Sequence, residues 1–146
     1  MSIGTEHEGR SYPPSRPYTV SRAKIDEFAA ALGDTSPAYN GDGGHGTAIA
    51  PPTFAAVIAA RSWDVIFDDP ELGLALHRTI HADQRFEITS PLRAGDRIVS
   101  TLTITKVRRR GPADMVTVSV RLDTVEGEPR CTAVSTLIHT RRGDAA

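Results

Sequence analysis

The spacing of apolar residues changes period along this chain, and the change divides it into a helical part and a strand part. Between Ser21 and Gly33 the residues Ile25, Phe28, Ala29 and Leu32 recur every three or four positions, the spacing of one helical face. Ser21 offers a side-chain oxygen to the unpaired amides of a first turn. Gly33 follows Leu32 directly, where a C-terminal glycine belongs. A short amphipathic helix ending on Asp34 is therefore predicted. A second helix is predicted over residues 53–67, with Pro52 in the first turn, where its missing N–H costs nothing. Phe54, Val57, Ile58, Val65 and Ile66 are separated there by alanines, and only Arg61 and Asp64 are charged. A helix apolar almost all round is a buried one, and this one would be about 24 Å long.

From Thr79 the period becomes two. Residues 77–89, 97–109, 115–125 and 130–140 alternate, with breaks at Ser90-Pro91, Arg93-Ala94-Gly95-Asp96, Gly111-Pro112 and Glu126-Gly127-Glu128-Pro129. Ile98, Leu102 and Ile104, then Val116, Val118, Val120 and Leu122, then Cys131, Ala133, Ser135 and Leu137 each fall on one face. Four strands of an antiparallel meander are predicted, each about twice the usual length and long enough to curve across the helix. A long curved antiparallel sheet around one buried helix is the α+β arrangement known as the hot-dog fold. The division expected is an extended, proline-rich arm over 1–17, frayed at first, a single domain over 18–140, and a polar tail over 141–146.

Composition narrows the picture only slightly. The chain has 146 residues and a formal net charge of -1, an ordinary globular composition that suggests neither nucleic acid nor membrane as partner. With one cysteine, Cys131, no intramolecular disulfide can form, and its place in an apolar strand marks it as a core residue. No apolar run reaches the roughly 20 residues of a membrane span, and the first residues do not read as a signal peptide, so a cytoplasmic protein is expected.

The chemistry concentrates before the long strands. Gly33-Asp34-x-x-Pro37-x-Tyr39, a glycine-rich loop carrying His45, and Ile49-Ala50-Pro51-Pro52-Thr53-Phe54 follow one another. Together with Asp83-Gln84-x-Phe86 and Pro91-Leu92-x-Ala94-Gly95-Asp96, this pattern resembles the MaoC-like (R)-specific enoyl hydratases and 3-hydroxyacyl dehydratases. It is most similar to the non-catalytic type of subunit in two-subunit (3R)-hydroxyacyl-ACP dehydratases. The resemblance runs from Tyr18 to about Thr140. It implies an acyl-CoA or acyl-ACP thioester as substrate, an acyl pocket drawn from Ala50, Pro51, Pro52, Thr53, Phe54 and Gln84, and no cofactor or metal, since hydration and dehydration need only acid–base groups.

In that family an Asp and a His act on one water, and a backbone N–H at the start of the central helix steadies the enolate-like oxygen. The resemblance places Asp34 on the family Asp and Tyr39 on the family His. A phenol with a pKa near 10 is a poor general base at neutral pH, and Pro52 has no N–H to donate. The expectation is a dehydratase-family subunit with an impaired dyad, in a homodimer or in a heterodimer with a catalytic hot-dog subunit. His45 could supply the missing imidazole, and Thr53 the missing N–H. A self-sufficient homodimeric hydratase, a non-enzymatic acyl-thioester-binding protein and a thioesterase using Asp64 remain as alternatives. His77 and His81 are expected on one strand face without further metal ligands. Lys106, Arg108, Arg109 and Arg110 form a solvated charge run, or a contact for an acidic carrier protein or a CoA phosphate.

Overall fold

The long alternating segments build one antiparallel sheet in the computed structural model, which describes residues 1–41 and 47–143. Its strands are β1 (Tyr18–Thr19), β2 (Thr79–Ile88), β3 (Arg97–Arg110), β4 (Ala113–Thr124) and β5 (Pro129–Thr140), ordered β1-β3-β4-β5-β2. The predicted faces are the real ones: Ile98, Leu102, Ile104, Val116, Val118, Val120, Leu122, Ala133 and Leu137 are all buried on the concave side. The expected meander is corrected at one point. β2 does not pair with β3, the next strand in the chain, but crosses to the far side of the sheet and pairs with β5. Register shifts at Thr105 in β3 and Ala82 in β2 add the local bend and twist that let strands this long curl. A curled antiparallel sheet around helices is the hot-dog architecture.

α1 (Arg22–Leu32) begins where Ser21 accepts a hydrogen bond from the Lys24 amide at 3.1 Å. It ends in a Schellman turn. Gly33 adopts a left-handed φ of 68°, its amide returns to the Ala30 carbonyl, and the Asp34 amide reaches the Ala29 carbonyl, both at 3.0 Å. Asp34 is thus fixed in space by the way the helix stops.

The predicted helix over 53–67 exists in segments. A 3-10 turn (Pro52–Phe54) leads into α2 (Ala55–Arg61), and α3 (Asp64–Phe67) follows after a break. The break lies at Ser62, whose hydroxyl donates to the Ala59 carbonyl at 2.6 Å and so competes with the helical ladder. Nor is the helix buried all round. Phe54, Ala55, Ile58, Ala59 and Ile66 face the core, while Pro52, Thr53, Ala60 and Arg61 are exposed.

The arm is not frayed. Ile3 is fully buried, and the Gly9, Tyr12 and Ser15 amides donate to the carbonyls of Ile104, Leu102 and Ser100 along the edge of β3 at 2.7, 3.0 and 2.9 Å. The Tyr12 hydroxyl (2.6 Å) and the Arg10 guanidinium (2.9 Å) both reach Asp69. One edge of the sheet is therefore covered by the chain's own first residues. The opposite edge, β2, has no strand partner on its outer side among the described residues. Isolated edges of this kind are unusual in stable monomers. His77 and His81 do not share a strand face: His77 lies in a 3-10 turn, and His81 stacks edge-on against Trp63 with centroids 4.9 Å apart. No group of three metal-ligating side chains occurs among the described residues.

Candidate active site

An apolar pocket of about 180 Å³ opens where four segments meet at one end of the sheet. The turn after α1 contributes Ser36, Ala38 and Tyr39. The entry to α2 contributes Ile49, Ala50, Pro51, Pro52 and Ala55. Ile88, Ser90, Pro91 and Leu92 come from the end of β2 and its loop, and Cys131 from β5. Ile88 and Cys131 stand opposite each other in the register.

The walls are stitched together through the backbone. The Ala50 amide donates to the Leu92 carbonyl at 2.7 Å and the Ala94 amide to the Ala48 carbonyl at 2.9 Å, joining the second motif segment to the loop after β2. That loop is clamped in turn by Asp96. It accepts the Arg93 amide at 2.9 Å and both ends of the Arg130 guanidinium at 2.9 and 3.1 Å. Both side chains of this fork-to-fork pair are 11% exposed, and Asp96 holds the Arg130 pKa above its usual value. Bidentate geometry of this kind is the strong form of an ion pair.

At the rim, Asp34 and Tyr39 meet. The Asp34 carboxylate accepts the Ser36 amide at 3.0 Å and lies close enough to Tyr39 for its charge to act on the phenol. The Tyr39 pKa lies above that of a free phenol, first because the ring is partly withdrawn from water, then because of the Asp34 charge and the hydrogen bond to it. A phenol whose pKa is raised keeps its proton at neutral pH. Pro51 and Pro52 carry no amide hydrogen, which makes Thr53 the first residue of that segment able to donate one. Burial and the neighbouring Glu87 push the Cys131 thiol up to about 11, which makes it a wall residue rather than a nucleophile.

The predicted residues divide accordingly. Tyr39, Ala50, Pro51 and Pro52 line the pocket. Asp34 lies just outside, linked through Tyr39. Thr53 is exposed and is not part of the lining. Phe54 is wholly buried beneath it, edge-on to Phe28 with centroids 5.4 Å apart. Gln84 is spent on the sheet, where its carbonyl accepts the Ser135 hydroxyl at 2.6 Å and its amide donates to the Val134 carbonyl at 3.2 Å. His45 lies outside the described residues. Ile88 and Cys131 were missed as lining residues. Gln84, Phe86 and Ile88 share the inward side of β2, so the alternation gave the face but not the strand it would meet. No described helix is long and apolar enough to cross a membrane.

Comparison with known proteins agrees with this geometry. A family model described as "FAS1-like, dehydratase domain region" matches residues 6–133. A UPF0336 protein of Cutibacterium acnes is 50% identical over 97% of this chain and 96% of its own. Another from Saccharopolyspora erythraea is 42% identical over 94% and 92%. Among solved structures, the C-terminally truncated HadBC (3R-hydroxyacyl-ACP dehydratase) complex from Mycobacterium tuberculosis aligns with a TM-score of 0.79 and 28% identity, covering 93% of this chain and 99% of the other. The unliganded R-hydratase PhaJ1 from Pseudomonas aeruginosa aligns with a TM-score of 0.69 at 16% identity, over 95% and 87%, a likeness of fold.

Proposed function

Because the chain belongs to the FAS1-like dehydratase-region family, we propose that it is the acyl-chain-binding subunit of a (3R)-hydroxyacyl-thioester dehydratase, with CoA or an acyl carrier protein holding the acyl group, and that it relies on a catalytic partner for the chemistry. The observation that carries this reading is the Asp34–Tyr39 pair at the rim of an apolar pocket.

Dehydration removes a proton beside the thioester carbonyl and delivers one to the departing hydroxyl. A carboxylate and an imidazole around one water can do both, because the imidazole titrates near neutrality. Here the second group is a phenol whose pKa is raised rather than lowered, so the pair holds its proton instead of passing it. The negative charge that grows on the thioester oxygen needs a donor, and Pro51 and Pro52 supply none. What remains is an apolar slot formed by Ala38, Ile49, Ala50, Pro51, Ala55, Ile88 and Leu92, suited to an acyl chain.

Association fits the same reading. The pocket is small beside the few hundred Å³ usual for organic ligands, and the open β2 edge exposes Ile80 and Ile88. Pairing through that edge, with a second copy or a related hot-dog subunit, would cover it. The similar HadBC structure is itself a complex. Function inside the cytoplasm accords with this role.

The test is hydration of crotonyl-CoA, followed by loss of enoyl absorbance, with the purified chain alone and with a co-expressed hot-dog subunit that carries the family Asp and His. Activity in the pair alone is expected. Robust turnover by the isolated chain, lost in Asp34→Asn, would replace this reading with a self-sufficient hydratase.

A further inference from the structure

At the end of the sheet away from the apolar pocket lies a second cavity whose polar groups point to a ligand. His139 and Asp114 are cross-strand neighbours on β5 and β4, 3% and 1% exposed. Eight strand positions separate His139 from Cys131, about 26 Å at the usual rise, so this cavity and the apolar pocket share no residue. Both ring nitrogens of His139 and the Oδ2 of Asp114 are buried without a hydrogen-bond partner among the described residues. Leaving such groups unpaired forfeits their hydration without replacement, so native proteins seldom do it without a reason.

His139 and Asp114 border a cavity of about 230 Å³ together with Arg78, Arg141 and Arg142, and their unpaired atoms lie just behind its wall. That volume far exceeds the need of one water. The other carboxylate oxygen of Asp114 is already committed to Arg141 and Arg109. Arg78 gives its Nε to the Thr140 carbonyl at 3.1 Å, and no bond to its terminal nitrogens occurs among the described residues. Around the cavity, cationic side chains outnumber the single carboxylate. The first residues of the chain close over it. Gly73 has φ +61°, and a Cβ there would stand 2.0 Å from the Met1 carbonyl oxygen, so glycine is required for Met1 and Ser2 to seat on the wall.

We propose that this cavity binds a protonated phosphate group, with Arg78 and His139 donating to its bare oxygens and Asp114 Oδ2 accepting its P–O–H hydrogen. The arrangement calls for an anion that can also donate, since a fully deprotonated one would face Asp114 Oδ2 with like charge. Burial, with Arg78, Arg141 and His77 nearby, keeps the His139 pKa below normal, and Asp114 opposes them. A bound anion offsets those arginines, so binding draws a proton onto His139 and makes both nitrogens donors.

Calorimetric titration of the whole chain with inorganic phosphate, at neutral pH and constant ionic strength, is the test. Sulfate, which carries no proton at that pH, serves as comparator. Saturable one-site binding of phosphate is expected, at least about ten-fold tighter than sulfate, because a site built to accept a hydrogen discriminates against the ion lacking it. Arg78→Gln changes a half-buried rim residue, leaves the fold intact by circular dichroism, and should weaken phosphate about five-fold or more. Asp114→Asn should erase the preference over sulfate, and the His139 imidazole resonances of the wild type should report a raised pKa in phosphate. Glycerol phosphate in the same titration separates the sources: tighter binding than phosphate assigns the site to esters, weaker binding to the free ion. No saturable phosphate binding, equal binding of sulfate by the wild type, or binding indifferent to Arg78→Gln would each overturn the proposal.

Discussion

The two ends of the sheet hold pockets whose polar groups are settled in opposite ways. At the Cys131 end the rim groups satisfy one another: Asp34 takes the Ser36 amide and pairs with Tyr39, and Asp96 takes Arg93 and Arg130. At the His139 end, buried nitrogens and a carboxylate oxygen have no partner among the described residues. A group already bonded within its own chain holds a wall in place, and little of it is left for a substrate. A buried group left open is one whose bonds are to be completed by something else. On the function proposed above, the contrast sets a chemically quiet acyl pocket against an electrostatically poised one.

Breaking the clamp at the quiet end should have the largest effect. Arg130→Ala leaves the Asp96 charge, 11% exposed, without its partner, a loss of about 3 kcal/mol. The calorimetric melting temperature should fall by about 10 °C, and the loop lining the apolar pocket should loosen while the phosphate cavity keeps its shape. An unchanged melting temperature would mean that the clamp carries no strain of the wall. Next is Cys131. With its thiol at about 11 and its side chain buried, alkylation by iodoacetamide at neutral pH should run at least about a hundred-fold slower than in the urea-unfolded chain, as read by mass spectrometry. Gly33→Ala should cost about 1 kcal/mol, because the residue sits in the left-handed region with open space around it. Denaturant unfolding reads that loss, which acts on the turn that holds Asp34. The smallest effect sharpens the other end. A His pKa depressed in the folded state means that the unfolded chain binds more protons below about pH 6.5, so stability should decline as pH falls through that range. His139→Gln should flatten this part of the pH profile of the melting temperature.

The strands and their faces were legible because the period-two pattern is strict: each of Val116, Val118, Val120 and Leu122 is buried where alternation puts it. The end of α1 was legible because Gly33 has a single good reason to follow Leu32. Strand order was not, since the partner of Ile88 is Cys131, and a pattern along one strand says nothing about which distant strand it will meet. That also hid half of the apolar pocket. The helix over 53–67 misled for a local reason, a Ser62 hydroxyl that captures the Ala59 carbonyl within an otherwise helical run. Prolines suggested a loose arm, but Ile3 and Tyr12 anchor it, and the amides of Gly9, Tyr12 and Ser15 still pair with β3. Tyr39, Ala50, Pro51 and Pro52, read from the motif, line the apolar pocket. Gln84 and Phe54 did not reach the pocket, because cross-strand bonding and core packing claimed them. The open valences of His139 and Asp114 depend on three-dimensional neighbours and left no trace in the sequence.

The most direct measurement of the claim that the Asp34–Tyr39 pair and Pro52 silence this chain is hydration of crotonyl-CoA by the isolated protein and by its Tyr39→His, Pro52→Gly double variant. Restoring an imidazole beside Asp34 and a backbone N–H at the helix entry should yield turnover at least about ten-fold above the wild type, with a rate that falls as the imidazole protonates below neutral pH. A wild-type chain that turns over alone as fast as the variant would contradict it.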